Sequence, residues 1–209
     1  MSLEPRIVVR DFRPEDHAAA IGVLASSFAG FGPLDQVVGD GDKAQDRRRR
    51  MFELTFKNLA KQNVIVAERD GRIDGVLTYA DRPACIPSAR DSLAAVRIAG
   101  PRLLTLIRDF RKVGKAHPRT SHRHLPTLGV CPEAQGRGIG GLLMAEYCRR
   151  CDEAGLEGYL ETIRSADPSK RAQERLYERH GFAVAEVVPM TDDWSMISMR
   201  RPAATTPGG

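Results

Sequence analysis

Gln135-Gly136-Arg137-Gly138-Ile139-Gly140-Gly141 lies between a strand-like run, Leu125 to Val130, and a helical one in which Ile139, Leu142, Leu143, Tyr147 and Cys151 recur at helical spacing. A glycine turn that opens a helix can aim several backbone N–H groups at one anion, at the positive end of the helix dipole. Glycine supplies both the positive φ angles and the missing Cβ that this convergence needs. Gln135 to Gly141 is therefore a candidate cradle for a phosphate-bearing ligand. The plainer reading, a turn that only tightens the strand-to-helix corner, uses the same residues without a ligand.

The same stretch satisfies G-x-G-x-x-G at Gly136, Gly138 and Gly141, and Glu157 stands where a ribose-binding acid would be sought. Three features argue against a dinucleotide fold. Five residues separate the end of the strand from Gly136, about 70 residues follow the turn, and the elements upstream read strand, helix, helix, hairpin. A nucleoside triphosphate loop is excluded because Leu142 follows the last glycine where a lysine is required.

Upstream, Arg6 to Arg10 alternates as a short strand. Arg13-Pro14-Glu15-Asp16 opens a helix expected to run to about Ala29. A second helix is expected over roughly Asp42 to Lys61. Val64 to Glu68 and Arg72 to Tyr79 read as strands joined at Asp70-Gly71, a hairpin signal. Pro83 to Pro118 reads as an insertion with one or two buried helices. Downstream, Gly155 marks a helix end and Leu156 to Ile163 a strand. Asp167-Pro168 starts a helix through Arg179, and Phe182 to Pro189 and Trp194 to Met199 close the fold as paired strands. The chain thus reads as one domain over 1–201, with Pro202 to Gly209 a disordered tail.

The 209 residues are 42% hydrophobic, enough for one core. Met1 to Phe12 is charged where a leader would be apolar, and no run of 18 apolar residues occurs. A cytoplasmic protein without membrane attachment is expected, and its four cysteines read as free thiols. The net charge of +5 favours acidic partners. Its densest run, Arg47 to Arg50, leads into Met51, Phe52, Leu54 and Phe56, as on the solvated face of an amphipathic helix, and lacks the interleaved aromatics of a nucleic-acid surface.

Leu128-Gly129-Val130-x-Pro132-x-x-Gln135-Gly136-Arg137-Gly138-Ile139-Gly140, then Leu160-Glu161-Thr162, then Leu176-Tyr177-Glu178-Arg179-His180-Gly181-Phe182, resembles the GNAT superfamily of acetyl-CoA-dependent acyltransferases. Within it the chain is similar to the puromycin N-acetyltransferase-like group. It departs from that group in the longer Ile163 to Leu176 bridge, expected to form a fuller helix, in Lys170 and Gln173 near the place of a frequent asparagine, and in His122-Arg123-His124. The resemblance implies an α/β fold with a mixed sheet and a helical insertion between the third and fourth strands. It implies acetyl-CoA as co-substrate, its diphosphate held by Gln135, Gly136, Arg137, Gly138, Ile139, Gly140 and Gly141. It also implies a splayed strand end, Leu128, Gly129 and Val130, facing the thioester, and Tyr177 as the acid for the departing thiolate. The acceptor would be a primary amine of a small molecule or peptide, attacking directly in a ternary complex, and the protein a monomer or homodimer. A non-catalytic acyl-CoA-binding protein would keep the turn and lack the acid.

Acetyl transfer also needs a base for the amine. His122 and His124 share one face of a strand, and Glu161 on a neighbouring strand can face the same place, so His122, His124 and Glu161 are the candidates. Cys148-x-x-Cys151 with Cys131, or His117 with His122 and His124, resemble fragments of zinc sets, but neither is complete and no metal is expected.

Overall fold

The computed structural model describes residues 6–31, 34–35, 38–39, 43–59, 63–81, 97–98, 100 and 117–204. The expected insertion over Pro83 to Pro118 lies outside the described residues apart from a few positions, and so does 205–209 of the expected tail. Among the described residues are seven strands and four helices. They are β1 Ile7–Asp11, α1 His17–Ser27, α2 Lys43–Leu59, β2 Asn63–Arg69, β3 Arg72–Asp81, β4 His122–Val130, α3 Ile139–Ala154, β5 Glu157–Ser165, α4 Ala172–Glu178, β6 Ala183–Pro189 and β7 Trp194–Arg201. The sheet is mixed, in the order β1-β2-β3-β4-β5-β7-β6. β4 and β5 run parallel, while β5 with β7 and β6 with β7 run antiparallel.

The chain divides into two compact units, with the boundary crossing β3 after Thr78, β4 before Thr127 and α3 after Leu143. In the first unit β1 pairs antiparallel with β2, from Ile7 opposite Arg69 to Asp11 opposite Ile65. β2 turns into β3 at Asp70 and Gly71, both at positive φ (52° and 78°), the paired left-handed conformation that a two-residue hairpin demands. Ala20, Ile21, Leu24, Phe52, Phe56, Val66 and Val76 form its apolar core. Asp16 ties the start of α1 down, accepting from the Arg13 N–H at 2.8 Å and from Arg10 Nη1 at 2.7 Å. The expected first helix therefore begins as a 3-10 turn, Pro14–Asp16, and becomes α-helical at His17.

In the second unit Tyr147, Tyr159, Leu160, Cys151, Ile197 and Met199 are fully buried. Arg123, also buried, is neutralised by Asp81 through two hydrogen bonds (2.6 and 3.0 Å), donates to the Arg150 carbonyl at 2.7 Å and lies over the Tyr79 ring. Such pairing is what allows a guanidinium to leave water. β4 begins three residues before the run expected from hydropathy, because His122, Arg123 and His124 are polar residues that the fold buries or half-buries. The 202–204 segment is held against α3, where the Ala204 N–H donates to Asp152 at 2.8 Å.

The Ile163 to Leu176 bridge forms no fuller helix. Ile163 to Ser165 continue β5, Asp167 caps a 3-10 turn over Pro168–Lys170, and α4 has only seven residues. The buried face of α4 is partly polar. Ala172 is exposed, while Glu174 and Tyr177, three residues apart, point inward. The reason is a partner from another element, since Arg164 on β5 forms a bidentate ion pair with the Glu174 carboxylate.

Candidate active site

In the first unit, β4 ends at Val130 and a short 3-10 turn, Pro132–Ala134, leads into Gln135. The Gln135 side chain donates back to the Val130 carbonyl at 3.1 Å, and the Cys131 N–H donates to the Asp74 carbonyl at 2.8 Å, so the approach to the turn is fixed on β3 and β4. Gly136 and Gly138 both have positive φ (77° and 79°), and a Cβ added to either would meet no atom within 4 Å. The main chain is thus folded into a conformation that side chains resist, with open space where side chains would stand. That space and the N-terminal N–H groups of α3 fit an anionic diphosphate. Arg137 is exposed beside them, Ile139 is buried beneath, and Gly140 and Gly141 are half-buried in the first turn of α3. Close packing sets the height of the helix start, because a Cβ on Gly75 of β3 would come within 2.7 Å of Ile139 Cγ2 and 2.9 Å of Leu143 Cδ1.

Leu128, Gly129 and Val130 form the end of β4. Gly129 faces α1 so closely that a Cβ there would collide with Ser27 and Leu24. The β4–β5 ladder runs from His122 opposite Glu157 to Leu125 opposite Leu160 and stops; the next residue, Pro126, has no N–H to donate.

In the second unit, His124 Nε2 lies 2.7 Å from Glu161 Oε2, both side chains half-buried. The register sets His124 opposite Tyr159, and Glu161 follows two residues further along the same face of β5. Burial alone would raise the Glu161 pKa, but the hydrogen bond and charge of His124, with Tyr159 and His117 nearby, outweigh it and lower the value. Glu161 is then an ionised acceptor. It holds the proton of His124 on Nε2 and leaves the lone pair on Nδ1, a buried atom with no partner among the described residues.

Three further rings complete this cluster. His117 is 4.6 Å from Tyr159, 4.7 Å from His122 and 5.2 Å from His124, centroid to centroid. Burial lowers the His117 pKa, and the neighbouring histidines add to the effect against the opposing pull of Glu161. His122 shares the face, as its spacing predicts, but its Nδ1 is engaged with the Thr120 carbonyl at 2.7 Å. The Tyr159 hydroxyl is buried without a well-formed hydrogen bond, and burial with the Glu161 carboxylate pushes its pKa well above the usual phenol range. Sequence reading missed Tyr159; its position two residues before Glu161 on one strand is the signal that places it on the same face.

Tyr177 is buried, its ring edge-on to Phe182 at 6.3 Å. Burial pushes its pKa up to about 12, moderated by a hydrogen bond with Thr162 of β5. The phenol is thus protonated at neutral pH and sits beside the strand that carries Glu161. The other sequence candidates resolve as structure. Glu157 is bound by Arg200 through two hydrogen bonds of 2.6 Å, which occupies the acid that a dinucleotide reading would need. Cys148 and Cys151 are buried thiols whose pKa burial raises to about 11, which disfavours the thiolate that a metal requires.

Residues 102–184 match the family model described as the acetyltransferase (GNAT) domain. The fold is similar to that of histone acetyltransferase HPA2 and related acetyltransferase from Corynebacterium glutamicum, at a TM-score of 0.69 and 23% identity, covering 97% of this chain and 99% of that one. It is also similar to Naa20 of Chaetomium thermophilum, solved with a bisubstrate analogue (TM-score 0.53, 21% identity, 94% of this chain and 86% of that one). A third similar structure is the ribosomal-protein-S18-alanine N-acetyltransferase of Escherichia coli (TM-score 0.53, 15% identity, 98% of each chain). Among the described residues no helix is long and apolar enough to cross a membrane.

Proposed function

We propose that the chain, acting through one domain over 1–201, transfers the acetyl group of acetyl-CoA to a primary amine of a small molecule or peptide by direct attack in a ternary complex. The observation that carries this reading is the turn before α3, where Gly136 and Gly138 hold positive φ beside open space in a chain whose residues 102–184 match the GNAT domain model. Backbone N–H groups of Gln135 to Gly141 bind the diphosphate. The end of β4, Leu128 to Val130, offers N–H groups to the thioester carbonyl, where negative charge develops. His124, with its tautomer set by Glu161, takes the proton that the amine loses as nitrogen bonds to the acetyl carbon. The carbon–sulfur bond breaks, Tyr177 gives its proton to the departing sulfur, and solvent later restores it. Remote binding of the diphosphate fixes the geometry, so positioning supplies much of the acceleration.

A thiol-release screen with acetyl-CoA against aminoglycosides, puromycin-like nucleosides, polyamines and peptide N-termini tests the reading. One amine class is expected to accelerate release, with initial-rate lines that intersect as a ternary complex requires. Tight binding of acetyl-CoA with no acceleration by any amine would instead make the chain a non-catalytic acyl-CoA-binding protein.

A further inference from the structure

We propose that His117, His124 and Glu161 form a binding site for a first-row transition-metal cation of the Zn2+ class, and that its occupancy switches off the acetyl transfer proposed above. Each residue offers one ligand atom, and these atoms all lie within 4.8 Å of one another. The histidine set considered from sequence alone was incomplete and contains no carboxylate. The β4–β5 register supplies one by bringing Glu161 to His124, while His122 turns its Nδ1 to the Thr120 carbonyl and drops out.

A second observation points to a ligand. Both ring nitrogens of His117 are buried and have no hydrogen-bond partner among the described residues. An imidazole with neither of its buried nitrogens satisfied carries a desolvation cost that a metal bond to one of them reduces. Two imidazoles and a carboxylate suit zinc and its neighbours in the first transition row, and leave at least one coordination position for water. Zinc bonds of about 2.0–2.1 Å bring donor atoms to about 3.4 Å from one another, so the widest pair must close by about 1.4 Å. Rotation of His117, carried on the irregular segment ahead of β4, supplies that closure. Magnesium and calcium, which take oxygen ligands, are not expected to bind.

The binding claim stands on these three side chains alone. The inhibitory claim rests in addition on His124 acting as the base, because a cation on His124 and Glu161 replaces the hydrogen bond between them and occupies the group that takes the proton.

The test uses the full chain, stripped with chelator and titrated by calorimetry with Zn2+ alone. One cation per chain is expected, with affinity falling at least about 10-fold in both His117→Ala and Glu161→Gln, since even the outer partners of metal ligands cost that much when lost. Circular dichroism identifies a variant that has failed to fold. A readout on unaltered protein accompanies it: Co2+ should give visible d–d bands without the near-ultraviolet thiolate charge-transfer band that a cysteine site produces. No stoichiometric Zn2+ binding, unchanged affinity in a folded His117→Ala, or a thiolate band would each overturn the site. Stoichiometric binding through these residues with undiminished thiol release would overturn the inhibition, and with it the assignment of His124 as base, while leaving the metal site intact.

Discussion

The glycine turn and the histidine cluster are built from opposite materials. The turn is main chain, seven consecutive residues whose function depends on side chains being absent at Gly136 and Gly138. The cluster is side chain, gathered from His117, His122, His124, Tyr159 and Glu161 by a parallel register that only the fold creates. In the proposed function the first serves binding and the second proton transfer. If that division holds, substitutions in the cluster and at Tyr177 change rate, whereas substitutions at the turn change affinity.

The largest expected effect on rate is at Tyr177. Tyr177→Phe keeps the ring against Phe182 and removes the proton, so kcat should fall by about 10² to 10⁴ with acetyl-CoA affinity and thermal midpoint little changed. Since burial pushes the Tyr177 pKa up to about 12, the phenol stays protonated well below that value, and any loss of wild-type activity from the neutral to the mildly alkaline range should persist in the mutant. Wild-type kcat in Tyr177→Phe, measured where chemistry limits turnover, would leave solvent as the proton source.

A smaller loss is expected at Glu161. Glu161→Gln removes the ionised acceptor that sets the His124 tautomer, and kcat/KM should fall by about 10², the lower end for a misdirected base. Calorimetry with acetyl-CoA should show unchanged affinity. An equal loss of affinity would mean that the cluster belongs to binding, and the division between the two regions fails.

Gly75→Ala crosses the division from the packing side. Its Cβ would press on Ile139 and Leu143, which are buried and seat the start of α3. Overpacking of this kind costs about 1–3 kcal/mol, and the helix start should shift with it. Thermal denaturation should show the loss, and acetyl-CoA affinity should weaken by a few-fold. A lower thermal midpoint with wild-type affinity would show that the turn tolerates movement of its helix.

The two regions were unequally legible in the sequence for the same reason. Local chemistry announces the turn, the Asp70-Gly71 hairpin and the amphipathic α3, because glycine spacing and apolar period act within a few residues. The pairing of His124 with Glu161 spans 37 residues of chain; a shared strand face suggested it, but the bond itself needed the register of β4 and β5. His122 to His124 escaped assignment to a strand by hydropathy, since a buried arginine reads as exposed until Asp81 is known to neutralise it. The inward face of α4 obeys the same rule, because Glu174 is buried with Arg164 as its partner. In each case a polar residue was hidden by a partner distant in sequence.

The most direct measurement is the acetyl-CoA affinity of Gly138→Glu. The substitution puts a carboxylate into the open space before α3 and forces a side chain into positive φ, a backbone cost of about 1–2 kcal/mol that a folded domain can carry. Calorimetry on protein shown by circular dichroism to be folded should find binding weakened at least about 100-fold, from the combined loss of the cradle and repulsion of the diphosphate. Wild-type affinity in the folded mutant would place the diphosphate elsewhere and contradict the account.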